Sequence, residues 1–149
     1  MKESAQQLRG IVSAVEPEML GLSDEDVEKK PAPDEWSKKE ILGHLIDSAA
    51  NNHHRFVRAV SREAVRFPTY NQVEWVRIQQ CNKRPWSSLV TLWSAYNDHL
   101  SHVIECIPED AGSSPCNVGG EDPVPLSFVV EDYLSHLKLH LKDILDRKL

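Results

Sequence analysis

The segment "DYLSHLKLHLKDIL", Asp132 to Leu145, carries two histidines, His136 and His140, four positions apart. On a helix, side chains at i and i+4 lie about 40° apart around the axis and project the same way. A metal ion can bridge that spacing. The apolar arc of Val129, Val130, Tyr133, Leu137, Leu141 and Ile144 has a definable centre; His140 projects roughly 60° from it and His136 roughly 100°. Both therefore sit on one flank of the buried face, where an inward-turned ligand keeps a path for substrate.

Two imidazoles make a weak site, so a third donor is required. An earlier helical stretch offers His44, His53 and His54. Periodicity puts His53 nearest that helix's apolar centre and His44 roughly 130° away, and it does not choose between them. His99 falls near the edge of a third apolar face, and His102, roughly 150° from its centre, belongs on the surface. The alternative for any isolated H-x-x-x-H is a pair of ordinary partly buried or surface histidines. Two better-known metal motifs are excluded. Leu137 follows His136, where a zinc protease of the H-E-x-x-H type needs Glu, and no Glu-x-x-His of a di-iron bundle occurs.

Four long amphipathic elements must position these residues. The first runs from about Lys2 to Met19, with Leu8, Ile11, Val12 and Val15 on one side. The polar segment "SDEDVEKKPAPDE" breaks the pattern. In "WSKKEI" Ser37 and Glu40 have the spacing of a capping box, with Trp36 and Ile41 placed as a hydrophobic staple. From there Ile41, Leu42, Leu45, Ile46, Ala49, Phe56, Val57 and Val60 form one face of the second helix. "YNQVEW" repeats the start signal for a short helix to about Gln80, with Asn71 as cap, Glu74 returning to it and Tyr70 facing Trp75. The third helix begins near Pro85 and turns Leu89, Trp93, Tyr96, Leu100, Val103 and Ile107 inward. "PEDAGSSPCNVGGEDPVP" reads as loop, and Ser127 offers a cap for the last helix. No stretch alternates at period two, so little or no sheet is expected. The expectation is a single all-α domain over 1–149, a four-helix bundle with a short extra helix between the second and third.

Composition narrows the function classes. A net charge of −6 argues against a nucleic-acid groove, which needs a basic surface. No apolar run approaches the roughly 20 residues that span a bilayer, and "MKESAQQLRG" lacks the apolar core of a signal peptide, so a cytoplasmic location is expected. Cys81, Cys106 and Cys116 are odd in number and lack C-x-x-C pairing, which reads as three reduced thiols.

Three pieces, "EWSKKEILGHLIDSAANNHHRF", "YNQVEWVRIQQCNKRPWSSLVTLW" and "VEDYLSHLKLHLKDIL", together resemble the DinB/YfiT-like superfamily of metal-dependent bundle proteins. The resemblance runs from about Pro33 to Leu145. It implies a four-helix bundle of unusual handedness, often dimeric, with one divalent metal (Zn, Ni or Fe) on three histidines. One comes from a G-H-L-x-D-S segment and two from H-x-x-x-H; carried onto this chain they are His44, His136 and His140, with His53 as second candidate. Some members of the family transfer low-molecular-weight thiols onto electrophiles or use them to isomerise a small acid. The expected function is therefore metal-dependent, thiol-linked transfer to a small-molecule substrate.

Around such a site Asp47, three residues after His44, and Asp143, three after His140, are the nearest carboxylates in sequence to orient the imidazoles. The alternative for both is a solvated helix carboxylate. Arg55, Arg58 and Arg62 fall within a band roughly 60° wide, centred near the angle of His44. It would hold the carboxylates of a thiol cofactor or anionic substrate, Arg55 first among them, or form a solvated basic face. Two further classes stay open: a metal-free bundle that binds a small molecule, and a structural homodimer.

Overall fold

The computed structural model describes residues 1–61 and 66–146. Among the described residues there are six α-helices: α1 (Lys2–Leu20), α2 (Asp24–Glu28), α3 (Lys38–Val60), α4 (Gln72–Gln79), α5 (Trp86–Glu105) and α6 (Leu126–Leu145). The four long ones form the bundle. Helix α1 packs against α5 and α6, and α3 packs against the same two. The order around the bundle is therefore α1, α5, α3, α6. The chain crosses the diagonal twice, from α1 to α3 and from α5 to α6.

The core follows the apolar stripes. Leu8, Leu42, Leu45, Phe56, Leu89, Trp93, Leu100, Ile104, Leu137 and Leu141 are all essentially inaccessible to solvent. Burying each such side chain is worth about 1.5–3 kcal/mol, which drives the helices together. Trp86 Nε1 donates to Met19 O at 2.6 Å, tying the start of α5 to the end of α1. No helix among the described residues is long and apolar enough to cross a membrane.

The start of α3 is fixed as its sequence predicts. Ser37 Oγ accepts from Glu40 N, and Ser37 N donates to the Glu40 carboxylate at 2.9 Å. Asn71 caps α4 by accepting from Glu74 N, but the Glu74 carboxylate turns to Arg77 instead of returning. Three elements differ from expectation. Helix α2 forms inside the segment read as a break, because Ser23 accepts from Asp26 N and Val27 is buried. Helix α6 starts at Leu126 without a side-chain cap. Ser127 is not that cap, since Leu126 N already donates to Ser114 O across the connecting loop. That loop also holds a minimal antiparallel pair, β1 (Pro115–Cys116) and β2 (Val124–Pro125). Val57, placed on the apolar face by periodicity, is 47% exposed.

One close approach shapes the region of interest. A Cβ built on Gly43 would stand 2.5 Å from Cys81 Sγ. Glycine there lets the turn that follows α4 lie directly on α3, one residue from His44.

Candidate metal centre

Helix α3 supplies His44, and α6 supplies His136 and His140. One ring nitrogen from each lies within 4.8 Å of the other two. The three rings meet edge to face, with centroids 4.6 to 5.0 Å apart. His44 Nε2 and His136 Nε2 stand 3.1 Å apart. Two nitrogens bound at 2.0–2.1 Å to one tetrahedral ion would be separated by about 3.3 Å, so the donor pair already has ligand spacing.

Burial prepares the rings chemically. His44 is 2% exposed, and desolvation, followed by the nearby His136 and His140, pushes its pKa down to about 4. Desolvation lowers His136 and His140 as well; Asp132 partly counters this at His136, and Asp143 at His140. Three imidazoles kept neutral are three lone-pair donors. His44 Nδ1 is also buried without a hydrogen-bond partner. Leaving it unpaired costs stability, and a ring held in place for coordination through its other nitrogen accounts for that cost. The residues present fit a divalent cation.

The surroundings orient the rings. His140 Nδ1 lies 3.5 Å from Asp143 Oδ2. Ser48 Oγ lies 3.5 Å from His136 Nδ1, a partner readable in sequence as the residue one turn beyond His44. Trp36 packs on the His44 ring with centroids 5.2 Å apart. Asp47 is buried but faces another way, accepting from Gln79 Nε2 through both oxygens at 2.7 and 2.8 Å. It secures α4 to α3. Burial raises its pKa, which the Gln79 bond partly offsets.

Two spaces flank the triad. A cavity of about 140 Å³ opens beside His44 and His136, lined also by Ser48, Asn52, Arg55, Tyr70 and Asp132. A larger groove of about 890 Å³ reaches His140 from the other side, past Trp36, Ile41, Val73 and Asp143. Arg55 is half-buried, and its guanidinium donates to Asn52 Oδ1 at 3.3 Å. Arg62 lies outside the described residues.

His53 does not join this cluster. Its ring meets His99 at 5.0 Å and Tyr96 at 5.8 Å, between α3 and α5. His99 is exposed, as is His102. A single-helix projection, which puts His53 nearest the apolar centre without choosing between the two, misses the second layer over α3, where Trp36, α4 and α6 cover the His44 side.

A family model for the DinB superfamily matches residues 7–144. The chain belongs to the DinB superfamily. No curated protein sequence gives a significant match. Among solved structures, this DinB chain is similar to YfiT from Bacillus subtilis, described as a probable metal-dependent hydrolase with an unusual four-helix bundle topology. The TM-score is 0.85 at 14% identity, covering 97% of this chain and 83% of YfiT. It is also similar to the mycothiol-dependent maleylpyruvate isomerase, with a TM-score of 0.76 at 15% identity. A histidine-to-alanine variant of that isomerase gives 0.77 at 15% identity. In both, 97% of this DinB chain is covered but only 60% of the isomerase. At these identities the likeness is one of fold.

Proposed function

We propose that this chain is a metal-dependent enzyme in which His44, His136 and His140 hold one divalent cation, zinc, nickel or iron. Its reaction is transfer of a small thiol onto a small electrophile, the thiol giving up its S–H proton as its sulfur bonds the electrophilic carbon. The observation that carries this reading is the convergence of three ring nitrogens from α3 and α6 within 4.8 Å. The mycothiol dependence of the isomerase with the same fold supports the choice of a thiol.

When bound, the cation supplies a nucleophile near neutral pH by lowering the pKa of a thiol or water. The protein's own groups do the rest. Burial holds the three imidazoles neutral, and Asp143 against His140 Nδ1 turns the other nitrogen of that ring toward the centre. Tyr70, whose pKa is raised by burial and by Asp47, keeps its proton and presents a donor at the cavity wall. The cavity and the groove give two reactants separate approaches to one centre, as a transfer between two molecules requires. Hydrolysis at the same centre is the second reading, favoured by the likeness to YfiT.

Metal analysis after tag-free purification tests the proposal. About one equivalent per chain is expected. No metal, even after reconstitution, would leave a metal-free binding module or a structural bundle. Incubation with thiol and electrophile, with and without the thiol, then separates transfer from hydrolysis.

A further inference from the structure

Ser48, Asn52 and Arg55 follow one another at i, i+4 and i+7 on α3, so they share a face. They are linked along it. Arg55 Nη1 donates to Asn52 Oδ1 at 3.3 Å, Asn52 Nδ2 donates to Ser48 O at 2.9 Å, and Ser48 Oγ lies 3.5 Å from His136 Nδ1. All three line the 140 Å³ cavity beside the triad. Helical side chains lean toward the N-terminus, so the Arg55 fork reaches back toward the histidines. Arg55 makes no ion pair among the described residues; burial disfavours its charge, and Tyr70, Asp132 and Cys116 nearby offset this only in part.

We infer that this cavity takes a small monocarboxylate, its carboxylate held by the Arg55 guanidinium and its other end directed at the triad. The inference rests on the reading of the triad as the reaction centre and names the class of molecule that reaches it. Volume sets the size. About 140 Å³ is room for about five waters, well below the roughly 300 Å³ where pockets for drug-sized ligands begin, so the part of the ligand held inside is a short acid chain. Charge sets the valence. Arg55 is the one permanently cationic side chain among the described residues lining the cavity, and Asp132 lies at the same wall. A planar carboxylate matches one guanidinium fork, whereas in metal-free protein a phosphate dianion would bring one charge more than Arg55 can balance beside Asp132. The amides of Asn51, Asn52 and Gln72 and the Tyr70 hydroxyl supply neutral hydrogen bonds for the rest of the molecule.

Calorimetric titration of 3-mercaptopropionate and 2-mercaptoethanol into zinc-loaded and chelator-treated protein tests this, with propionate, ethanol and inorganic phosphate as further probes. The expected result is binding of 3-mercaptopropionate at least tenfold tighter than 2-mercaptoethanol, a preference that Arg55→Met removes. Arg55→Lys keeps the charge but loses the fork; it should cut the preference severalfold, and it serves if the methionine variant misfolds. Equal affinity for the two thiols, a preference that survives both substitutions, or phosphate binding to chelator-treated protein as tight as propionate would overturn the inference. The two readings fail separately. Protein that takes up no metal yet prefers propionate to ethanol through Arg55 removes the metal centre and leaves the subsite. Protein that binds metal and ignores the carboxylate removes the subsite alone.

Discussion

His44 Nε2 and His136 Nε2 face each other at 3.1 Å, although 92 residues separate them in the chain. With both rings neutral, two lone pairs at that distance repel unless a proton or a cation lies between them. The pair therefore serves as a geometric gauge of the proposed centre, and the effect of removing each ring can be stated in advance.

His140→Ala should lose most of the bound metal while the helical circular dichroism stays nearly unchanged. The side chain is only partly buried, so its removal leaves a small void at the groove edge, not deep in the core. Elemental analysis beside a far-ultraviolet spectrum checks both halves. Full retention of metal would show that the histidine cluster is not its site.

Asp143→Asn and Asp47→Asn should behave differently. Asp143 lies against His140 Nδ1, and loss of such an orienting carboxylate typically weakens metal affinity about 10–100-fold. Asp47 bonds Gln79, so its replacement should loosen α4 and leave metal affinity within a few fold. Competition with a chromogenic chelator measures the first effect, and amide exchange across Gln72–Gln79 the second.

Chelator-treated protein should lose stability as pH falls. The His44 pKa is about 4 when folded, against about 6.5 for a free imidazole. Between those values the unfolded chain binds the extra proton, so stability declines from about pH 6.5 down to about pH 4 and this contribution is flat below. Melting temperatures from pH 7.5 to 4 should follow that slope, and His44→Ala should make it shallower, the remainder coming from His136 and His140. An unchanged slope in the variant would show that His44 is not buried neutral.

Gly43→Ala should destabilise the fold by about 1–3 kcal/mol, the usual cost of overpacking, since its Cβ would collide with Cys81 Sγ. Adding Cys81→Ala removes that sulfur and should restore part of the loss. Urea unfolding of the single and double variants gives the coupling directly.

The four bundle helices were legible because their stripes repeat with helical period and because Ser37 and Glu40 mark the start of α3 by spacing alone. Helix α2 was not, since five residues are too few for a period to show. Ser127 misled as a cap because the helix start is held instead by the Ser114 carbonyl, which lies twelve residues before its donor Leu126 in an irregular loop. The histidine pair on α6 could be read from one segment. His44 could not, because burial on α3 is set by Trp36, α4 and α6 together, none of which a single helical projection contains. Only the resemblance pointed to it. Asp47 shows the same limit: its partner Gln79 lies 32 residues on.

Because the chain crosses the bundle's diagonal before α6 docks beside α3, a partly folded molecule offers a cation at most the His136–His140 pair. Capture at full strength must wait until α6 packs beside α3. The rate of ion uptake would then report on that step, and a chelator added during refolding would leave metal only on chains in which α6 had already seated.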